Sequence, residues 1–256
     1  RSFPVFKQRL RQEFPSPIAQ AFDRFENRAP TPRERLDHLR NTWEALIWLL
    51  HALAVGEARL RRLPLKDGRI SRDGGREQPL SFHHLLSESL AARLDVVRAI
   101  LDLAHERSVD LAVASLIPLP VLERIRMLNR VRNDLAHRSP LSPTQAQKKL
   151  TECQDEVIDI LWKLKRVREV RLIRYNGHVG AVLKHEEFAG NGRFPSMKDL
   201  TLQANQQPEI ESYLREGAML GVLRERVVSL RPFVSCGEVD EGHARRLYVF
   251  KKVENG

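Results

Sequence analysis

A chain of 256 residues has room for one or two domains at roughly 100–200 residues each, and its 42% hydrophobic content is enough to bury a real core, which excludes wholesale disorder. The formal net charge is +10, and it is uneven: residues 1–167 hold 29 basic and 21 acidic side chains, or +8, while 168–256 hold 14 and 12, or +2. A field of that sign favours anionic partners, nucleic acid first and acidic membrane surfaces second.

Residues 1–30 read as a lead-in packing on the helices of 31–167. They are rich in Phe and Pro and predict one short helix over Pro17–Arg28. A helix start stands at Thr31-Pro32-Arg33-Glu34, where Thr31 accepts from the open N–H groups, Pro32 fits the first helical position and Glu34 completes a capping box. Leu36, Leu39, Trp43, Leu46, Ile47, Leu50 and Leu53 then follow at helical spacing, so this helix is expected to reach about Arg62. Its apolar run Ala45–Val55, broken by His51, is far below the roughly 20 residues of a membrane span. Residues 63–79, with Asp67-Gly68, Asp73-Gly74-Gly75 and two prolines, read as a mobile polar loop. A second helical stretch is expected over Ser81–Arg107, with a break near Leu94, and a third over Val121–His137, closed by Ser139-Pro140. Ser142-Pro143-Thr144-Gln145 is another capping box and opens a fourth helix to about Arg166.

The fold class expected is therefore α+β. Four amphipathic helices over 31–167 form an up-and-down bundle, and a small antiparallel β-rich domain occupies 168–256. In the latter, Val167–Tyr175 and Val179–Lys184 flank Asn176-Gly177, a hairpin-turn dipeptide, and Ala218–Leu223, Arg226–Leu230 and Arg246–Val253 are also strand-like.

The third helix carries the chemistry. Its apolar stripe Val121, Ile125, Leu128 and Leu135 passes through Arg132, seven residues after Ile125 and almost on its azimuth. A charge on a core-facing line needs a partner, a groove or an interface. Glu44, inside a strongly apolar helix, is one such partner across the bundle, or else a glutamate at its rim. Taken singly, His137 is an ordinary partner for a helix C-terminus, Arg130 and Asp134 are an ordinary i,i+4 pair, and Asn129 and Asn133 can bond to neighbours.

Taken together, Arg132-Asn133-Asp134-Leu135-Ala136-His137 resembles the hallmark of the HEPN superfamily: Arg, a polar residue, a short spacer and His, late in the third of four helices. The resemblance covers about 31–166. It implies a metal-independent endoribonuclease without cofactor, acting on RNA in prokaryotic defence or stress, as a homodimer whose two Arg–His ends line one cleft. His137 would serve as general acid or base, its ordinary pKa near 6.5 suiting both roles. Arg132 would stabilise the scissile phosphate, and Asn133 would orient His137 or the phosphate. Arg124, Arg126, Arg130 and Arg138 would contact further phosphates. The products would carry a 2′,3′-cyclic phosphate. The same resemblance also implies an alternative, since many such bundles keep the pair structurally and serve as dimerisation or sensing modules. His137 is followed by Arg138-Ser139 and no tyrosine, unlike toxins silenced at a tyrosine two residues after the histidine.

Other candidates are poorer. His83-His84 lacks carboxylate or Cys ligands at matching spacing, so surface or packing histidines are expected and no metal site. Cys153 and Cys236 are far apart, Ser235-Cys236-Gly237 has no His/Asp context, and no glycine-rich phosphate loop is present. Few cysteines and no apolar signal segment predict a cytoplasmic protein without a membrane partner. A start at Arg1, not Met, is read as a module of a larger system or defence complex.

Overall fold

The computed structural model describes residues 3–71, 77–137, 141–192, 194–203, 211–212, 214–238 and 245–249, with the side chains of 130–137, 238, 245, 246, 248 and 249 outside the description. It is a mixed helix-and-sheet protein. The helices are α1 (Phe3–Glu13), α2 (Ser16–Asn27), α3 (Pro32–Leu60), α4 (Phe82–Leu85), α5 (Leu90–Glu106), α6 (Leu119–His137) and α7 (Pro143–Lys163). The strands are β1 (Arg69–Ser71), β2 (Glu77–Pro79), β3 (Arg171–Val179), β4 (Val182–Glu187), β5 (Ser196–Thr201), β6 (Met219–Leu223), β7 (Arg226–Ser229), β8 (Val234–Glu238) and β9 (Arg245–Val249).

Both expected capping boxes form. Thr31 Oγ1 accepts from the Glu34 N–H while Glu34 reaches back to Thr31, and Ser142 and Gln145 do the same for α7. The lead-in holds two helices rather than one. Pro4 fits the first turn of α1, and Phe6 and Leu10 bury its inner side, with Phe6 edge-on to Trp162 of α7 at 5.0 Å between ring centres. The second predicted stretch breaks at 86–89 instead of Leu94, because Ser89 Oγ accepts from the Ala92 N–H and starts α5 afresh. Residues 63–79 are not wholly loop. A 3-10 turn spans Leu65–Asp67, β1 pairs with β2, and Leu63, Ile70 and Leu80 are buried. Residues 72–76 lie outside the description.

Helices α3, α5, α6 and α7 close a ring of contacts: α3 packs on α5 and α7, and α6 packs on the same two. Their directions are not up-and-down. Arg93 near the start of α5 meets His51 of α3, while Glu57, further along α3, meets Ala112 and Val113 just past the end of α5. Helices α3 and α5 therefore run the same way, and 61–89 is a crossover carrying the β1–β2 hairpin and α4. By contrast Arg98–Glu123 and Arg126–Asp95 set α5 and α6 antiparallel, and Arg124 with Glu156 and Asp159 does so for α6 and α7. The end of α6 thus shares one end of the ring with the N-termini of α5 and α7.

The larger sheet is antiparallel in the order β5-β4-β3-β6-β7. Its hairpin does not turn at Asn176-Gly177. Strand β3 continues to Val179, Gly180 (φ +57) makes the turn, and the predicted site holds a bulge. That register sets His178 opposite Leu183 and Tyr175 opposite His185, so Leu183 joins Ile173, Tyr175 and Leu220 in a buried cluster. A turn at 176–177 would have set Ile173 against Gly180. Helix α3 packs on β7 so closely that a Cβ on Gly56 would lie 2.6 Å from the Ser229 carbonyl oxygen. The main core runs from Phe6 through the helices to Met219, Val228, Phe233 and Val234, so helices and strands share it.

Candidate active site

Arg132, Asn133 and His137 fall on the last two turns of α6, and His137 is the last residue of that helix. Their side chains, like that of Arg130, lie outside the description, as does the whole of Arg138. The helix positions them by its period. Residues 132 and 128 are four apart and 132 and 125 seven apart, and Ile125 and Leu128 are both buried.

Two of the arginines expected to hold phosphate are engaged within the ring. Arg124 donates from Nε and Nη2 to both carboxylate oxygens of Glu156, at 2.7 and 2.5 Å, and from Nη1 to Asp159 at 2.6 Å. These bonds hold its guanidinium well above the ordinary arginine range against a small opposing effect of burial. Arg126 pairs with Asp95 at 3.2 Å. It also lines a shallow groove of about 310 Å³ between α5 and the β1–β2 hairpin, where five carboxylates, Asp67, Glu77, Asp95, Asp102 and Glu106, outnumber three arginines. That lining repels a polyanion. The expectation that Arg124 and Arg126 meet RNA phosphates is corrected accordingly: they fasten α6 to its neighbours.

Three buried polar groups escaped the sequence reading. Arg93 is fully buried. Its Nη1 lies 2.9 Å from His51 Nδ1, and its guanidinium carbon stands 3.3 Å from the centre of the Trp48 ring. Burial lowers Arg93 to about 9. Burial first, and then the Arg93 charge, push His51 down to about 3, so it is neutral and Nδ1 is the acceptor. Phe233, just before β8, packs edge-on against His51 at 4.8 Å. Asn129 is the third, buried on α6. Arg93 had one available signal: it interrupts the apolar face Leu90, Leu94, Val97 of its helix.

The weaker candidates resolve simply. His84 caps α4 by taking the Ser81 N–H on Nδ1 at 3.1 Å, and its Nε2 meets Gln78, while His83 is exposed. Glu44 pairs with Arg40 at 3.6 Å. Cys153 is buried, which raises its thiol pKa, and Cys236 is half-buried. Among the described residues no group of three His, Cys, Asp or Glu could hold a metal ion, and no helix is long and apolar enough to cross a membrane.

No family model matches the chain, and no curated protein and no solved structure matches it either.

Proposed function

We propose that the protein is a metal-independent endoribonuclease of HEPN type, working in prokaryotic defence or stress response. The observation that carries the reading is the place of Arg132-Asn133-Asp134-Leu135-Ala136-His137: it closes α6, the third helix of the four-helix ring. The ring's electrostatics support it, since the N-termini of α5 and α7 lie at that same end, and helix N-termini favour phosphate. In this account Arg132 stabilises charge developing on the scissile phosphate. His137 takes the 2′-hydroxyl proton or returns one to the leaving 5′-oxygen, and Asn133 orients the reacting groups. The attacking 2′-oxygen forms a bond to phosphorus as the 5′-oxygen leaves, giving a 2′,3′-cyclic phosphate and a 5′-hydroxyl. A second copy pairs through the bundle, so that two motifs line one cleft. Phosphate contacts come from Arg130 and Arg138 rather than from Arg124 and Arg126.

The second reading, a non-catalytic dimerisation or sensing module, draws on the internal ion pairs of Arg124 and Arg126, which favour a role for α6 in assembly. Cleavage of RNA in EDTA separates the two. His137→Ala and Arg132→Ala should each lower the rate by at least about 100-fold while the bundle stays folded. Cleavage that survives both substitutions rejects the nuclease, and loss of dimer without any nuclease activity supports the module.

A further inference from the structure

A buried amide stands one helical turn ahead of the Arg132–His137 segment. Asn129 is 4% exposed beside Ile125 and Leu128, and its Oδ1 is sealed from solvent with no hydrogen-bond partner. A buried acceptor left open costs stability, and leucine, of similar shape, would fill the place without that cost. The α5–α6 pairs move three residues forward on one helix for three back on the other, which brings Asn129 level with Ala92 and Arg93. The amide therefore belongs to the layer in which Arg93 already rests on Trp48 and His51. Position 132 follows three residues later, about 4.5 Å along the axis and roughly 60° around it, within reach of an i,i+3 side-chain pair.

We propose that Asn129 is a positioning residue: its Oδ1 is the neutral acceptor that fixes the Arg132 guanidinium from inside the bundle. A carboxylate there would cancel the positive charge, whereas an amide oxygen orients the donor fork and leaves the charge for a phosphate. The use of that charge rests on the nuclease reading; the pairing itself does not.

The direct readout is solvent exchange of the Arg132 Nε–H, assigned by its loss in Arg132→Lys. Exchange should be slower in the unchanged protein than in Asn129→Leu by about tenfold or more. Asn129→Asp should keep the protection yet weaken binding of a 2′-O-methyl RNA, which has no free nucleophile, by about tenfold, and reduce its salt slope by about one. Equal exchange in the unchanged protein and a folded Asn129→Leu overturns the pairing, and so does protection lost in Glu44→Gln but kept in Asn129→Leu. Should Asn129→Leu fail to fold, Asn129→Ser, whose hydroxyl is too short to span the turn, gives the same comparison. Protection that depends on Asn129 in a protein that neither binds nor cuts RNA sinks the nuclease reading and leaves the pairing standing. Unchanged RNA affinity in Asn129→Asp overturns the charge-sparing role.

Discussion

The strongest residue-scale consequence of the fold comes from His51. Its pKa drops from an ordinary 6.5 to about 3 on folding, so between those values the unfolded chain binds a proton that the folded chain refuses. The stabilisation is complete above pH 6.5 and is lost progressively as pH falls toward 3. His51→Gln keeps an acceptor for Arg93 but does not titrate. Urea denaturation between pH 7 and 5 should therefore show a shallower fall in stability for His51→Gln than for the unchanged protein, and parallel curves would contradict the assignment. Arg124 gives a second prediction. Its bidentate bond to Glu156 is part-exposed, so Arg124→Gln should cost only about 1 kcal/mol in denaturation and leave the salt dependence of RNA binding unchanged. A slope reduced by about one would restore it as a phosphate contact.

Between elements, one carboxylate ties three pieces of chain together. Glu57 of α3 accepts from the Ala112 and Val113 N–H groups at 2.6 and 2.8 Å and from Arg226 of β7 at 2.6 Å. Burial pulls Arg226 down, but its bonds to Glu57 and Asp110 outweigh that and leave it raised. Glu57→Ala strands all three donors, and a loss of about 3–5 kcal/mol is expected in urea titration. The α3–β7 contact is equally testable. Gly56→Ala drives a methyl into the Ser229 carbonyl, and roughly 1–3 kcal/mol should be lost. Gly221→Ala meets only the tip of Leu53, which can rotate, so its melting temperature should fall less. This is also the scale at which sequence reading succeeded and failed. Capping boxes at Thr31 and Ser142 are local chemistry, and α3, α6 and α7 were legible from them and from apolar spacing. Strand β5 was not: Ser196–Thr201 is mostly exposed, and pairing with β4 rather than any alternation of its own makes it a strand. The Asn176-Gly177 turn failed because burial of Leu183 overrode a local preference. The parallel course of α3 and α5 depends on long-range contacts of Arg93 and Glu57, which no spacing announces.

At the scale of the whole molecule, the +10 charge takes on a different meaning. Part of the basic excess on α6 is consumed by Glu156, Asp159 and Asp95, and the groove beside Arg126 is acidic. The nuclease account therefore places phosphate binding at one end of the ring, where α6 finishes and α5 and α7 begin, and not along its flank. The measurement that bears on this most directly is the chemistry of the ends produced when purified protein meets an RNA oligonucleotide in EDTA, read by mass spectrometry. The account predicts fragments with 2′,3′-cyclic phosphate and 5′-hydroxyl ends, absent with His137→Ala. Intact RNA, or fragments carrying 5′-phosphate and 3′-hydroxyl ends, would contradict it.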